Sequence, residues 1–172
     1  MIVISGEVAA GKTTAAKLLR SQGFQYARIS QAIRTRWHDS SGEKPPRSWY
    51  QDMGMRLHRD IGQWALCQET LDLIPNPTGN FVIDGARWHE DISFFRTRFG
   101  SDLLHIHLTA SADVRKTRFE AREKDVSFEE ADGDEVELEV KELTRDADIV
   151  FDNSADSLSE LEAFINSALK KA

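Results

Sequence analysis

Short apolar runs alternate along the whole chain with longer runs whose apolar residues fall three and four apart. Residues 1–5 (Met-Ile-Val-Ile-Ser) carry no charge and predict a buried strand. Residues 13–21 follow with Ala15, Leu18 and Leu19 at helical spacing, and Gly23 is placed to end that helix. Residues 24–29 predict a second strand, and Ser30 is placed to cap a helix over 31–38. A polar loop over 39–47, with Pro45 and Pro46, leads into one long helix bearing Tyr50, Met53, Leu57, Ile61, Trp64 and Leu71. Pro75-Asn76-Pro77 stops it. Three further strands are predicted over 81–84, 103–108 and 148–151. Ile92, Phe95 and Phe99 mark a helix closed by Gly100, and residues 111–124 read as another. Ser127-Phe128-Glu129-Glu130 fits a capping box. Leu158, Leu161, Ile165 and Leu169 define an amphipathic helix near the end. The expected fold is α/β: three layers, with a five-stranded parallel sheet between helices.

Composition narrows this picture. A chain of 172 residues that is 40% hydrophobic can bury the core of one domain. The net charge of −7 argues against a broad nucleic-acid surface. No apolar run approaches the ~20 residues of a membrane span, and a compact strand stands where a signal peptide would. Cys67 is the single cysteine, so no internal disulfide forms, and it reads as a small buried hydrophobe. These features fit a reducing cytoplasm. The acidic stretch 129–139 reads as a solvated helix face.

The chemistry begins where the first strand meets the first helix. Gly6-Glu7-Val8-Ala9-Ala10-Gly11-Lys12-Thr13, followed by Thr14, matches G-x-x-x-x-G-K-[ST]. Glycines let the backbone wrap closely, so that N–H groups turn inward around phosphate oxygens. The helix that follows points its positive end at the anion. Lys12 is expected at the β- and γ-phosphates of ATP, and Thr13 on Mg²⁺. A second carboxylate for the metal is expected at a neighbouring strand end, where Phe81-Val82-Ile83-Asp84 supplies Asp84.

Phosphoryl transfer gathers negative charge, which permanently charged, bidentate arginines neutralise. Arg34 lies one turn into the helix after strand two, and Arg87 follows Asp84 by three residues. Arg115, Arg118 and Arg122 share a helix face, although Glu120 and Glu123 lie among them as they would on a solvated helix.

Together these residues resemble the nucleoside monophosphate kinase group of P-loop kinases. Ile29-Ser30-x-x-Ile33-Arg34 and Asp84-Gly85-Ala86-Arg87 are similar to adenylate kinase segments whose arginines hold the acceptor's phosphate. Over nearly the whole chain the sequence resembles small archaeal kinases related to dephospho-CoA kinase. That likeness rests on the phosphate loop, Ile33-Arg34, Gln51-x-x-Gly54, residues 82–87, Phe94 to Gly100, Arg115-x-x-Arg118-x-x-x-Arg122, Asp148 and Asn153. The resemblance implies that Asn153 to Asp156 border the adenine and that Gln51 lies at the acceptor. The segment after Glu130, Ala131-Asp132-Gly133-Asp134-Glu135-Val136, is poorer in arginine than the archaeal pattern.

The expected function is transfer of the γ-phosphoryl group of ATP to a small nucleotide-like acceptor, foremost a nucleoside monophosphate. Lys12, Asp84, Arg87, Arg118 and Arg122 are the expected catalytic groups, and Arg34, Gln51 and Arg87 the acceptor-binding ones. A single domain is expected, with an acceptor flap over 34–74 and a mobile lid over 124–134 that has few groups to pack. A hydroxyl acceptor (dephospho-CoA-like, a nucleoside or a modified nucleic acid) is the alternative: it needs a carboxylate as base, none is read just after strand two, and Asp84 would serve where it is not committed to Mg²⁺. A non-catalytic nucleotide-binding switch is the third reading, although the arginines would have no duty in one.

Overall fold

The computed structural model describes residues 1–38, 43–124 and 126–170. Five strands form one parallel sheet: β1 (Ile2–Gly6), β2 (Gln25–Arg28), β3 (Phe81–Ala86), β4 (Leu104–Thr109) and β5 (Ile149–Asp152), in the order β2-β3-β1-β4-β5. Every residue of β1 is buried, as expected of a central strand covered on both faces. Alternation along β1 sorts the core into two layers. Ile2 and Ile4 pack with Leu19, Ile106, Leu161 and Ile165 on one face, against helices α1 (Lys12–Ser21) and, near the chain's end, α9 (Leu158–Leu169). Val3 packs with Ile33, Leu66, Ile83 and Phe95 on the other. That face is covered by α2 (Ile29–Arg34), α3 (Arg47–Asp60), α4 (Gln63–Leu71) and α5 (His89–Phe99). At the carboxyl edge of the sheet, α6 (Ala112–Glu120) and α7 (Phe128–Asp132) close a small cluster of Val8, Ala9, Phe119, Phe128 and Ala131, and α8 (Glu135–Glu142) follows.

The three-layer α/β/α expectation holds, with corrections inside it. The long helix read after Arg47 is two helices. They are separated at Ile61 and Gly62, where φ reaches 81°, although the apolar spacing runs on through the break. Ser30 does not cap α2. The helix begins at Ile29, two residues before the read start, and ends at Arg34 rather than at 38, and the Arg28 N–H donates to Gln31 Oε1 at 2.8 Å. The third strand does not end at Asp84. It runs to Ala86 through a register shift against β1 between Ile4 and Ser5. Helix α6 stops at Glu120, short of the read bound of 124. The lid segment is packed: Phe128 and Ala131 are buried against the phosphate loop. The capping box forms as read, with Ser127 Oγ accepting from the Glu130 N–H and Glu130 Oε2 from the Ser127 N–H. Parts of the polar loop over 39–47, including Asp39, and Asp125 in the lid segment, lie outside the described residues. Among the described residues no helix is long and apolar enough to cross a membrane.

Gly6 leaves the sheet at φ 143°, and a Cβ there would stand 2.2 Å from the carbonyl oxygen of Leu108. Gly23, at φ 88°, has nothing within 4 Å of its Cβ position. Gly6→Ala should therefore cost about 2–4 kcal/mol, combining backbone strain with a clash against β4. Gly23→Ala should cost about 1 kcal/mol from conformation alone. Urea unfolding of both variants checks this. Equal losses would mean that the approach of Gly6 to β4 does not constrain the loop.

Candidate active site

The phosphate loop spans Glu7 to Gly11 between β1 and α1. Ala9 sits at φ 60°, and the Ala10 N–H donates to the Glu7 carbonyl at 3.2 Å, which curls the loop. The Thr14 and Ala15 N–H groups donate back to the Gly11 carbonyl (2.9 and 3.0 Å), so in the first turn of α1 the Lys12 and Thr13 N–H groups, with the helix dipole, are left for the loop's hollow. Lys12 folds back over it and donates to the carbonyls of Gly6 (2.5 Å) and Glu7 (2.7 Å). Enclosure lowers the Lys12 pKa to about 8, and Glu137 partly opposes that.

Two hollows meet above the loop. One, of about 370 Å³, is lined by the loop, Thr13, Thr14, Arg118, Arg122, Asn153 and the start of α9. The other, of about 360 Å³, lies under the α2–α4 segment and is lined by Ile29, Tyr50, Gln51 and Trp88 among others. Four residues line both: Lys12, Arg28, Arg47 and Arg87. All four are cationic, so the junction is where negative charge would be held.

Asp84 is fully buried beside this junction. Its Oδ2 accepts from the Tyr26 hydroxyl at 3.2 Å and pairs with Arg28 Nε at 3.4 Å, while its Oδ1 has no hydrogen-bond partner among the described residues. Burial, and then Asp84, push the Tyr26 hydroxyl up to about 12. A free, buried carboxylate oxygen fits a Mg²⁺ site of the kind that uses one or two protein oxygens plus phosphates. Among the described residues there is no cluster of three or more acidic, histidine or cysteine side chains that would hold a metal by itself.

The arginine trio separates. Arg115 is buried and pairs with Glu7 (3.2 Å) and Asp132 (2.5 Å), tying the lid segment to the phosphate loop. Arg118 reaches Asp156 (2.6 Å) and the carbonyl of Asn153 (2.8 Å), and with Arg122 it lines the first hollow. Asn153 donates to the Ala10 carbonyl at 2.9 Å, joining the last strand's loop to the phosphate loop. Gln51 lines the second hollow and donates to Asp134 Oδ2 at 2.7 Å. Arg34 is exposed at the end of α2 and lines neither hollow.

Three groups were not read as site residues. Arg28 stands where β2 ends, and Arg47 opens α3 just past the two prolines. Glu137 is not on a solvated face. It is buried, and its Oε1 accepts from Arg87 Nη1 at 2.9 Å. A signal existed in the sequence: Val136 and Val140 set the inner face of α8, and residue 137 adjoins it. Arg87 is braced from behind by Asp91, also fully buried. Asp91 Oδ2 accepts from the N–H groups of Arg87 (2.8 Å) and Trp88 (3.0 Å), and its Oδ1 from Gln63 (2.5 Å) and the Cys67 thiol (3.0 Å). Cys67 is thus buried, as read, but also spends its S–H on a polar contact.

Beneath the loop lies a buried chain of Ser5, His105 and His107. His105 Nδ1 faces the Asp146 carbonyl at 3.3 Å, so it carries the proton and Nε2 accepts from Ser5 (2.7 Å). Ser5 Oγ then accepts from His107 Nδ1 at 2.8 Å, which leaves His107 Nε2 without a proton and without a partner among the described residues. Burial lowers both imidazoles to about 4.

This chain belongs to the family described as AAA domain, which matches residues 2–156. A UPF0200 protein of Pyrobaculum aerophilum is 28% identical over 175 residues, covering 98% of this chain and 96% of that one. A gluconokinase from Sinorhizobium meliloti superposes with a TM-score of 0.61 at 14% identity, covering 99% of this chain and 91% of that one. A shikimate kinase from Aquifex aeolicus does so at 0.63 and 16% identity, covering 98% and 95%. The fold is that of the P-loop kinases.

The two histidines make stability depend on pH. An unfolded histidine titrates near ~6.5, and these two stay neutral in the folded protein until about 4. Between those values the unfolded chain binds more protons, so stability falls as pH falls. The loss from pH 7 to pH 5 should be about 1–2 kcal/mol for each histidine. His105→Gln/His107→Asn keeps a polar atom at each bonded position and should flatten the slope. Urea midpoints across that range check this, and an unchanged slope in the double variant would remove the histidines as its cause.

Proposed function

We propose that this protein is a phosphotransferase that moves the γ-phosphoryl group of ATP to a small acceptor in the second hollow. The observation that carries the reading is the meeting of two hollows of similar size at Lys12, Arg28, Arg47 and Arg87. A nucleotide switch needs one such hollow, whereas a transferase needs a donor and an acceptor to converge on one charged point. The backbone amides of Val8, Ala9, Gly11, Lys12 and Thr13, with the Lys12 side chain, hold the donor's phosphates, since those of Glu7, Ala10 and Thr14 are spent on backbone carbonyls. Asn153 and Arg118 border its base. Thr13 and Asp84 would hold Mg²⁺, which offsets charge on the phosphate oxygens when bound. Arg87 holds the acceptor, and Arg118 and Arg122 close from the lid side. Residues 34–74 act as the acceptor flap. The lid of residues 124–134 continues functionally into α8, because Glu137 stands at the junction.

The acceptor is a nucleoside monophosphate on this reading. Three arginines at the junction suit a phosphate that is already anionic and needs no base. One observation favours a hydroxyl acceptor instead: Glu137 and Asp84 each keep a buried carboxylate oxygen without a partner, and either could take a hydroxyl's proton. Gluconate and shikimate, named in two of the related folds, offer hydroxyls and no phosphate.

Lys12→Met keeps the aliphatic stem and removes the charge. It should lower phosphoryl transfer by about 10²–10³-fold or more and weaken ATP binding, with the unfolding midpoint nearly kept. Turnover and ATP affinity equal to wild type in a folded variant would end the phosphate-loop reading.

Assays with labelled ATP should compare AMP and adenosine, then other nucleotide and nucleoside pairs, dephospho-CoA, gluconate and shikimate. Arg87→Ala should raise the acceptor KM by about tenfold or more while ATP affinity holds. Arg34→Ala should do the same if the flap closes over the acceptor. Phosphorylation of a nucleoside or another hydroxyl compound, with monophosphates inert, would replace the phosphate-acceptor reading by the hydroxyl one.

A further inference from the structure

Arg47 is the first residue of α3 and lines both hollows. Its Nε and Nη2 form one edge of the guanidinium, and both are buried without a hydrogen-bond partner among the described residues. The guanidinium carbon lies 5.7 Å from the centroid of the Phe119 ring, so the group is held in place while its donor edge stays open. Such an edge meets two oxygens of a phosphate or carboxylate at once. Two buried donors left unmade cost free energy, and a native site that tolerates this is commonly one that a ligand completes.

Among the described residues, Arg47 makes its one ion pair with Glu137. That pair is incomplete: Oε1 stands 3.6 Å from Nη2, while it accepts from Arg87 at 2.9 Å. Glu137 Oε2 is buried with no hydrogen-bond partner among the described residues. A planar carboxylate thus satisfies Arg87 and leaves the Arg47 edge unmatched. A tetrahedral phosphate has oxygens for both guanidinium groups, and Lys12 lines the same space.

We propose that Arg47 and Arg87 form a phosphate clamp, and that the Glu137 carboxylate stands in the phosphate's place until a ligand displaces it. In this displacement the Glu137 side chain turns within the first hollow, which it lines. Helix α8 itself stays fixed by buried Val136 and Val140 and by the Asp134–Gln51 hydrogen bond. The clamp deepens the phosphotransfer reading and rests on it for the ligand being a phosphate. That phosphate comes either from the end of the donor or from the acceptor, since Arg47 faces both hollows.

Titration calorimetry on the full chain, with ATP and Mg²⁺, with AMP and with inorganic phosphate, tests the clamp. Arg47→Lys keeps the charge but loses the two-donor edge, and should weaken at least one probe by about tenfold. Glu137→Gln removes the competing charge and should tighten the same probe by about tenfold. Its unfolding temperature without ligand should fall, because Arg47 and Arg87 lose their counter-charge. In the double variant the gain should vanish. A change seen with ATP alone assigns the clamp to the donor's terminal phosphate, and one seen with AMP or inorganic phosphate assigns it to the acceptor. Unchanged binding of all three probes by Arg47→Lys overturns the proposal. So does a Glu137→Gln variant that loses turnover and binds nothing more tightly, since Glu137 would then be acting as a base. If Glu137→Gln does not fold, Glu137→Asp draws the carboxylate back by one methylene, and the same tightening is expected. Shifted affinities without any phosphorylated acceptor would leave the clamp standing and the phosphotransfer reading without support.

Discussion

Like charges crowd at the carboxyl edge of the sheet, where Lys12, Arg28, Arg47 and Arg87 line one junction. Two unit charges 4 Å apart repel by about 4 kcal/mol at the effective dielectric of a protein surface. The fold offsets this with internal carboxylates. Asp84 pairs with Arg28, and Glu137 with Arg87 and more loosely with Arg47. Burial, then neighbouring Arg87, still push Arg47 below its ordinary range. A cationic junction that internal carboxylates satisfy only in part is suited to receive an anion.

The same logic explains the ionic ties around the site. Glu7 places an acidic side chain inside the phosphate loop, where it would repel a polyphosphate. Buried Arg115 takes that charge away and also holds Asp132 of the lid segment. Breaking such a pair by removing one partner is costly, about 3–5 kcal/mol, so Arg115 constrains the loop through structure rather than through chemistry. On the other side, Asp91 binds the backbone of Arg87 and Trp88 while it accepts from Gln63 and Cys67 of α4. The backbone of the arginine loop and helix α4 are thereby fixed to one carboxylate. Gln51 to Asp134 adds a link between α3 and the start of α8.

Much was legible in the sequence because its signals are local. Uncharged β1, the Gly6-to-Thr13 loop and the Ser127–Glu130 capping box depend on residues within one turn or one strand, and each formed where the pattern placed it. Asp84 stands out in the sequence as a carboxylate at the end of an apolar run, although the strand that holds it continues to Ala86. The break at Gly62 was missed because the apolar spacing runs on across it, and one glycine is a weak signal against a long periodic run.

What the sequence determined by itself was the fold class and the phosphate loop, since both follow from periodicity and from the backbone freedom of particular residues. Which charges meet was decided by tertiary structure alone. Arg28, Arg47, Arg87 and Glu137 come from four separate elements, and no spacing along the chain relates them. Arg34 and Arg28 are near neighbours in sequence, yet α2 carries one out to solvent and leaves the other at the junction. Glu137 lies in a stretch of acidic residues that all look alike from composition. Only the packing of Val136 and Val140 turns that one carboxylate inward, where burial and the facing arginines give it a different chemistry from its neighbours.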